Sequence, residues 1–217
     1  NHSATHLLQT ALDKVLGNQI KQMGSFVCDE YMRFDFNHYE KISDEQLHAI
    51  EAEVNNLIAK AIPSDIKVMN KEEASKLGAK AFFSEKYGDS VRVVKFGDES
   101  IEFCGGCHVK NTSDIGVFVI ESESSVAAGV RRIQGRSSIG GYKLLKEKED
   151  ALMAVCKSIG CTNAKEALAR AHDLLNKLNE ANKKLDSMMD KISHQNAANV
   201  EKEFEEINGI KVLAKYF

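Results

Sequence analysis

An α+β domain with a mainly antiparallel sheet packed by helices, followed by an all-α helical hairpin or coiled coil, is the architecture this sequence predicts. Three observations predict it. Over the first 140 residues, short runs rich in β-branched and aromatic side chains alternate with helical segments. Beyond Gly141 strand-forming runs all but vanish. In that region Leu168, Ala171, Leu175, Leu178, Asn182, Leu185, Met189 and Ile192 keep an alternating 3–4 spacing, which is the pattern of a heptad seam.

Along the chain, residues 3–16 place Leu7, Leu8, Ala11, Leu12, Val15 and Leu16 at helical spacing, and Gly17 and Asn18 stop the helix. Residues 25–36 alternate through Phe26, Cys28, Met32, Phe34 and Phe36, which predicts a hairpin turning at Asp29 and Glu30. Cys28, on an apolar strand, is expected as core filler. Ser43 followed by Gln46 is a capping-box start for a helix running to about Ile62, and Pro63 forbids its continuation. Strands follow at 66–69, 91–96 and 100–103, with a helix at 70–77 and a link through Gly97-Asp98. Two further β-branched runs, 116–122 and 126–134, complete the set. Gly140-Gly141 marks a change of grammar. Leu145, Leu152, Val155 and Ile159 lie on one stripe, 160–163 makes a turn, and Asn163 with Glu166 caps a longer helix reaching about Ile207. The strand-like Ile210-Lys211-Val212-Leu213-Ala214 reads as the opening of another domain. The expected organisation is 1–140, 141–207 and 208–217.

Composition narrows the function classes. In 217 residues a hydrophobic fraction of 43% excludes wholesale disorder. With 29 basic against 32 acidic residues, there is no global signal for nucleic acid. Locally, however, 131–148 carries Arg131, Arg132, Arg136, Lys143, Lys146 and Lys148 against Glu147 alone. That patch suits phosphate contacts, although for the lysines a solvated helix start explains it equally well. No window approaches the roughly 18 apolar residues of a membrane span, so no membrane partner is expected. No secretory signal is evident, and an odd set of five cysteines in a chain of this size points to a reducing, cytoplasmic setting. The chain starts at Asn1 without an initiator methionine and reads as a piece of something longer.

The chemistry concentrates in two distant motifs. His2 and His6, four apart on a helix, project both imidazoles from one face. Alone, such a pair is better explained by chance and surface exposure. A hundred residues on, Cys104-Gly105-Gly106-Cys107-His108 sets a cysteine and a histidine four apart around a glycine pair that lets the backbone fold tightly. Three histidines and one thiolate would make a tetrahedral zinc site. CGGCH permits other readings. It matches the haem attachment pattern C-x-x-C-H, which wants an oxidising compartment, and it contains a redox-type C-x-x-C without the βαβ context. A third reading takes Cys104 and Cys107 as the metal pair, with His108 a bystander.

These residues have a family look. NHSATHLL (1–8), QMGS (22–25), RFDF (33–36), EFCGGCHV (102–109) and IGVFVIESESSVAAGVRRI (115–133) closely resemble the editing domain of alanyl-tRNA synthetases in order and spacing. The helices after Gly141 resemble the coiled coil that follows that domain, and NGIKVLAKYF (208–217) resembles the start of the C-terminal domain. The histidine and cysteine motifs are shared with threonyl-tRNA synthetase editing domains and with AlaX-type free-standing deacylases. The SES-x-VAAGVRRI stretch and the helical tail narrow the likeness to the alanyl enzymes.

The resemblance implies an editing hydrolase that cleaves serine or glycine from mischarged tRNA(Ala), within an enzyme whose other domains use ATP to attach alanine. It assigns one zinc ion to His2, His6, Cys104 and His108. It makes Thr5 the residue that recognises the serine hydroxyl, and Gln22 the one that positions substrate or water. Without the resemblance, Thr5 would read as a helix threonine bonding its own backbone and Gln22 as a solvated loop residue. Arg131 and Arg132 fall in the family-like stretch and are the expected tRNA contacts. A homodimer through the helical tail or a further C-terminal domain is the other expected assembly. Where the family usually has threonine, this chain has Cys107, a soft and oxidisable neighbour for the site. The competing readings are a free-standing AlaX-type deacylase and a tRNA-binding module with purely structural zinc.

Overall fold

A computed structural model describes residues 1–17, 20–80, 89–202, 205–207 and 209–212. They form two compact units, Asn1–Glu149 and Asp150–Phe217. In the first, α1 (His2–Leu16) leads to the hairpin β1 (Gln22–Val27) and β2 (Met32–Asn37), then α2 (Asp44–Ala59). There follow β3 (Ser64–Asn70), α3 (Lys71–Lys76), β4 (Ser90–Phe96), β5 (Ser100–Phe103), a 3-10 turn (Thr112–Ile115), β6 (Phe118–Ala127), β7 (Val130–Ser137) and α4 (Ser138–Ser158). A four-stranded sheet runs β1-β2-β7-β6 and a three-stranded sheet β3-β4-β5, with every pairing antiparallel. The expected α+β architecture is therefore what the chain adopts.

Helix α1 sits at the centre. Leu7, Leu8, Ala11 and Leu12 are buried in one cluster with Phe34 and Phe36 of β2, Val54 and Leu57 of α2, Phe96 of β4 and Phe118 of β6. Every residue from Ser3 to Asp13 is buried, including Ser3, Thr5, His6, Gln9, Thr10 and Asp13. The apolar spacing alone suggests a one-sided helix. Part of the polar side is held by fixed partners: Thr10 Oγ1 donates to Glu99 O at 3.0 Å and Gln9 Nε2 to Ile20 O at 3.2 Å. At the start of α2 the capping box is present in both directions, Ser43 Oγ accepting from Gln46 N and Gln46 Oε1 from Ser43 N.

Three local expectations differ from the structure. The runs 116–122 and 126–134 divide at Gly129, whose φ is +71°, so Val126 belongs to the ten-residue strand β6. The polar ESESS stretch reads as a break in hydrophobicity, but its outward carboxylates pair with arginines of β7, which keeps it a strand. Gly140-Gly141 lies inside the first turn of α4 rather than before it. A side chain on Gly141 would press on the carbonyls of Val117 and Arg136 at 3.1 Å, so that glycine serves close approach of backbone. Cys28 lies in the β1–β2 loop, its thiol 3.4 Å from Tyr31 O, rather than on a strand.

In the second unit, the end of α4 turns into α5 (Ala164–Lys202), capped as expected by Asn163 Oδ1, which accepts from Glu166 N at 3.1 Å. Cys156 and Cys161 are both buried beside that turn. Along α5, Leu168, Leu175, Leu178, Leu185, Met189 and Ile192 are each more than half exposed, so the seam is uncovered among the described residues. The helix ends before Ile207, which lies in the hairpin β8 (Glu205–Ile207) and β9 (Ile210–Val212). Leu213 and Ala214 of the expected C-terminal opening lie outside the described residues. No helix is long and apolar enough to cross a membrane.

Candidate metal centre

His2 and His6 open α1, one turn apart, and point toward the loop that leaves β5. That loop begins where the β4–β5 hairpin ends. Cys104 N donates to Arg92 O at 3.0 Å, and Arg92 Nη1 donates to the carbonyls of Cys104 and Gly106 at 2.6 and 2.8 Å. One guanidinium on β4 thus shapes the CGGC turn. A Cβ on Gly106 would collide with the His2 ring, whereas Gly105 faces open space.

The result is a convergent donor set. His2 Nε2 and His108 Nε2 lie 3.4 and 3.2 Å from Cys104 Sγ. One ligand atom from each of His2, His6, Cys104 and His108 falls within 4.8 Å of all the others. A tetrahedral zinc shell, with Zn–N about 2.0–2.1 Å and Zn–S about 2.3 Å, has edges of about 3.3–3.6 Å. The two nitrogen–sulfur separations fit that shell, and the donor set of three imidazoles and one thiol is a zinc-type set. Cys107 is exposed and stands outside the group.

Burial dominates the electrostatics of the four donors. Burial, then the N-terminal ammonium and Arg92, lowers the pKa of His2; burial, then His108, His2 and Arg92, brings His6 well below the usual imidazole range. Burial, then His2 and Arg92, brings His108 down to about 3. All three rings are therefore neutral, as ligation requires. Burial raises the Cys104 thiol.

Beyond the four donors lie residues that sequence patterns do not single out. Ser3 Oγ is 3.1 Å from His108 Nδ1 and accepts from Val109 N at 3.1 Å. Glu102 Oε2 faces His6 Nδ1 at 3.5 Å. Asn1 Oδ1 accepts from Ser137 Oγ at 2.8 Å, closing one end of a cavity of about 300 Å³ lined by His2, Ser3, Cys107, His108, Asp114 and Ser138. None of these is found by ligand spacing, since each partner is contributed by a distant element. Of the other expected site residues, Thr5 is buried between the two histidines and its hydroxyl donates to His2 O at 2.5 Å. Gln22 is half-buried on β1 and its amide donates to Ser25 Oγ at 2.9 Å. Neither lines that cavity. Arg131 and Arg132 project from β7 into two-point pairs with Glu123 and Asp35 at 2.5–2.7 Å.

Comparison with known proteins bears on the same residues. The family model for the threonyl and alanyl tRNA synthetase second additional domain matches residues 91–134, which include Cys104 and His108 but not His2 and His6. Alanine–tRNA ligases match the rest as well. Those of Geobacillus kaustophilus and Shouchella clausii are 44% and 42% identical over 214 residues, 99% of this chain. That of Alkaliphilus metalliredigens is 43% identical over 217 residues, the whole chain. The chain is alanyl-tRNA synthetase-like from end to end. It spans about a quarter of those relatives, 24% of the length of each. The alanyl-tRNA synthetase likeness thus unites both halves of the donor set in one matched segment, although His6 and Cys104 stand 98 positions apart (104 − 6).

Proposed function

We propose that this chain carries the editing site of an alanyl-tRNA synthetase and hydrolyses serine or glycine from mischarged tRNA(Ala). The observation that carries the reading is the convergence of His2, His6, Cys104 and His108 beside a cavity. Physical chemistry supplies the need. A pocket for alanine rejects glycine, lacking one methyl, or serine, adding one hydroxyl, by only about 1–3 kcal/mol, so a second examination of the product adds discrimination.

A bound zinc ion would supply a fixed positive charge beside the cavity. Four protein donors fill a tetrahedral shell, so positioning of the ester and of water falls to protein groups. Thr5 Oγ1, by donating to His2 O, keeps its lone pairs available to accept from a serine hydroxyl, and this orientation is the role assigned to it. Gln22 is assigned to substrate or water positioning. The cavity is at the lower end of small-molecule sites, which suits a terminal ribose and its ester linkage rather than a folded RNA, with Thr5 and Gln22 outside its lining. Arg131 and Arg132 are assigned to tRNA phosphates; their pairs use Nε and Nη2 and leave Nη1 for an incoming oxygen. The partner is tRNA(Ala) in the cytoplasm, and the seam on α5 is read as a homodimer contact.

Hydrolysis of Ser-tRNA(Ala) by the zinc-loaded chain should stop on chelation and return on adding zinc. A zinc-replete chain that leaves the ester intact would defeat the hydrolase reading. Chelation that unfolds the chain would favour zinc as a structural staple.

A further inference from the structure

His6 and Glu102 are both almost wholly buried, at 3% and 5% exposure, where α1 crosses β5. His6 Nδ1 has no hydrogen-bond partner, and Glu102 Oε2 faces it at 3.5 Å. One nitrogen of the same ring belongs to the donor set, and the His108 ring centroid is 4.4 Å away; with Nδ1 turned to Glu102, Nε2 is the nitrogen left for that set. The carboxyl is itself held: Ser100 Oγ donates to Oε1 at 3.1 Å, leaving Oε2 to the imidazole. The strand beneath is pinned from its edge, Lys80 N donating to Ile101 O at 2.9 Å and Phe103 N to Lys80 O at 3.0 Å.

A neutral imidazole carries one proton and offers one bare nitrogen, and the partner of the protonated nitrogen decides which is which. If His6 carried its proton on Nε2, it would present an N–H to the other three donors. We propose that Glu102 is the positioning residue of the centre: its carboxyl oxygen accepts the Nδ1–H of His6 and so holds Nε2 bare toward the metal. His108 meets the same need through a neutral group, Ser3 Oγ. His6 is deeper, and an acceptor that no solvent can replace is required there.

This inference rests on the zinc reading, and the test separates the two. In the 15N spectrum of the zinc-free 217-residue chain at mildly alkaline pH, His6 should show a protonated Nδ1 and a bare Nε2. The opposite tautomer overturns the proposal, and this measurement needs no variant to fold. In competition with a chromophoric chelator, Glu102→Ala should weaken zinc binding about 10–100-fold, while Glu102→Gln, whose amide oxygen still accepts, should stay within a few-fold of the parent. Equal affinity in Glu102→Ala and the parent overturns the assignment, as does Glu102→Gln binding as weakly as Glu102→Ala. A parent chain that takes up no zinc removes the metal reading and this inference together. A parent that binds tightly, with an indifferent Glu102→Ala variant, removes the inference alone.

Discussion

Two adjacent glycines of the CGGC turn face different surroundings. A methyl on Gly105 meets nothing within 4 Å, whereas one on Gly106 would overlap the His2 imidazole. Gly105→Ala should therefore keep full zinc content and thermal midpoint. Gly106→Ala should displace His2 and lower zinc stoichiometry in metal analysis; equal loss in both variants would contradict the geometry. The two cysteines of the turn divide in the same way. Cys104 lies within the donor set and Cys107 is exposed outside it. Cys104→Ala should abolish zinc retention, while Cys107→Ala and Cys107→Thr should retain the ion. Matching loss would restore the C-x-x-C pairing. The four ligands were legible as two i,i+4 motifs because helical and tight-turn spacing are local properties. Ser3, Arg92 and Glu102 were not legible, since their partners come from other elements and no spacing encodes them.

At the scale of elements, the sheet β1-β2-β7-β6 is laced by arginine–carboxylate pairs across strands: Arg132 with Asp35, Arg131 with Glu123 and Arg136 with Glu121. The basic excess of 131–148 looks unopposed in sequence only because its acidic partners precede it or lie on β2. The Arg136 guanidinium, helped by Gln134, holds the Glu121 carboxyl below its usual range. A carboxyl lowered by folding stabilises the native state above its unfolded pKa, and that contribution is lost as pH falls through the folded value. Glu121→Gln should therefore cost about 0.2–1 kcal/mol at pH 7, a difference that disappears on acidification below the folded value. Denaturant titrations at both pH values measure it, and a deficit that persists in acid would rule out the pair as its source. Replacing Arg131 and Arg132 should weaken tRNA binding at low salt without changing zinc content. An unchanged isotherm would assign these arginines to the sheet alone.

For the whole molecule, the seam on α5 is an apolar stripe left uncovered among the described residues, with Asn182 exposed at its centre. A polar residue at a core position of a heptad sets register between helices. Sedimentation should show the full chain as a dimer and residues 1–149 as a monomer. A cut at 149 keeps the whole compact first unit, including α4 as far as Glu149, whereas one near Gly141 would remove that part of the helix as well. Leu178→Glu should return the full chain to monomer. A monomeric full chain at tens of micromolar would leave the seam to some other segment.

Local order was available from sequence alone: the helices, the β4–β5 hairpin, the capping box at Ser43, the heptad seam and the two ligand pairs. Each depends on residues within a few positions of one another, so periodicity and turn chemistry carry it. Tertiary structure alone decided that α1 is buried all round, that ESESS is strand, and that Glu102 and Ser3 stand behind His6 and His108. The last of these depends on side chains about a hundred residues apart being brought together where α1 packs on β5 and the loop after it, and no local pattern contains that packing.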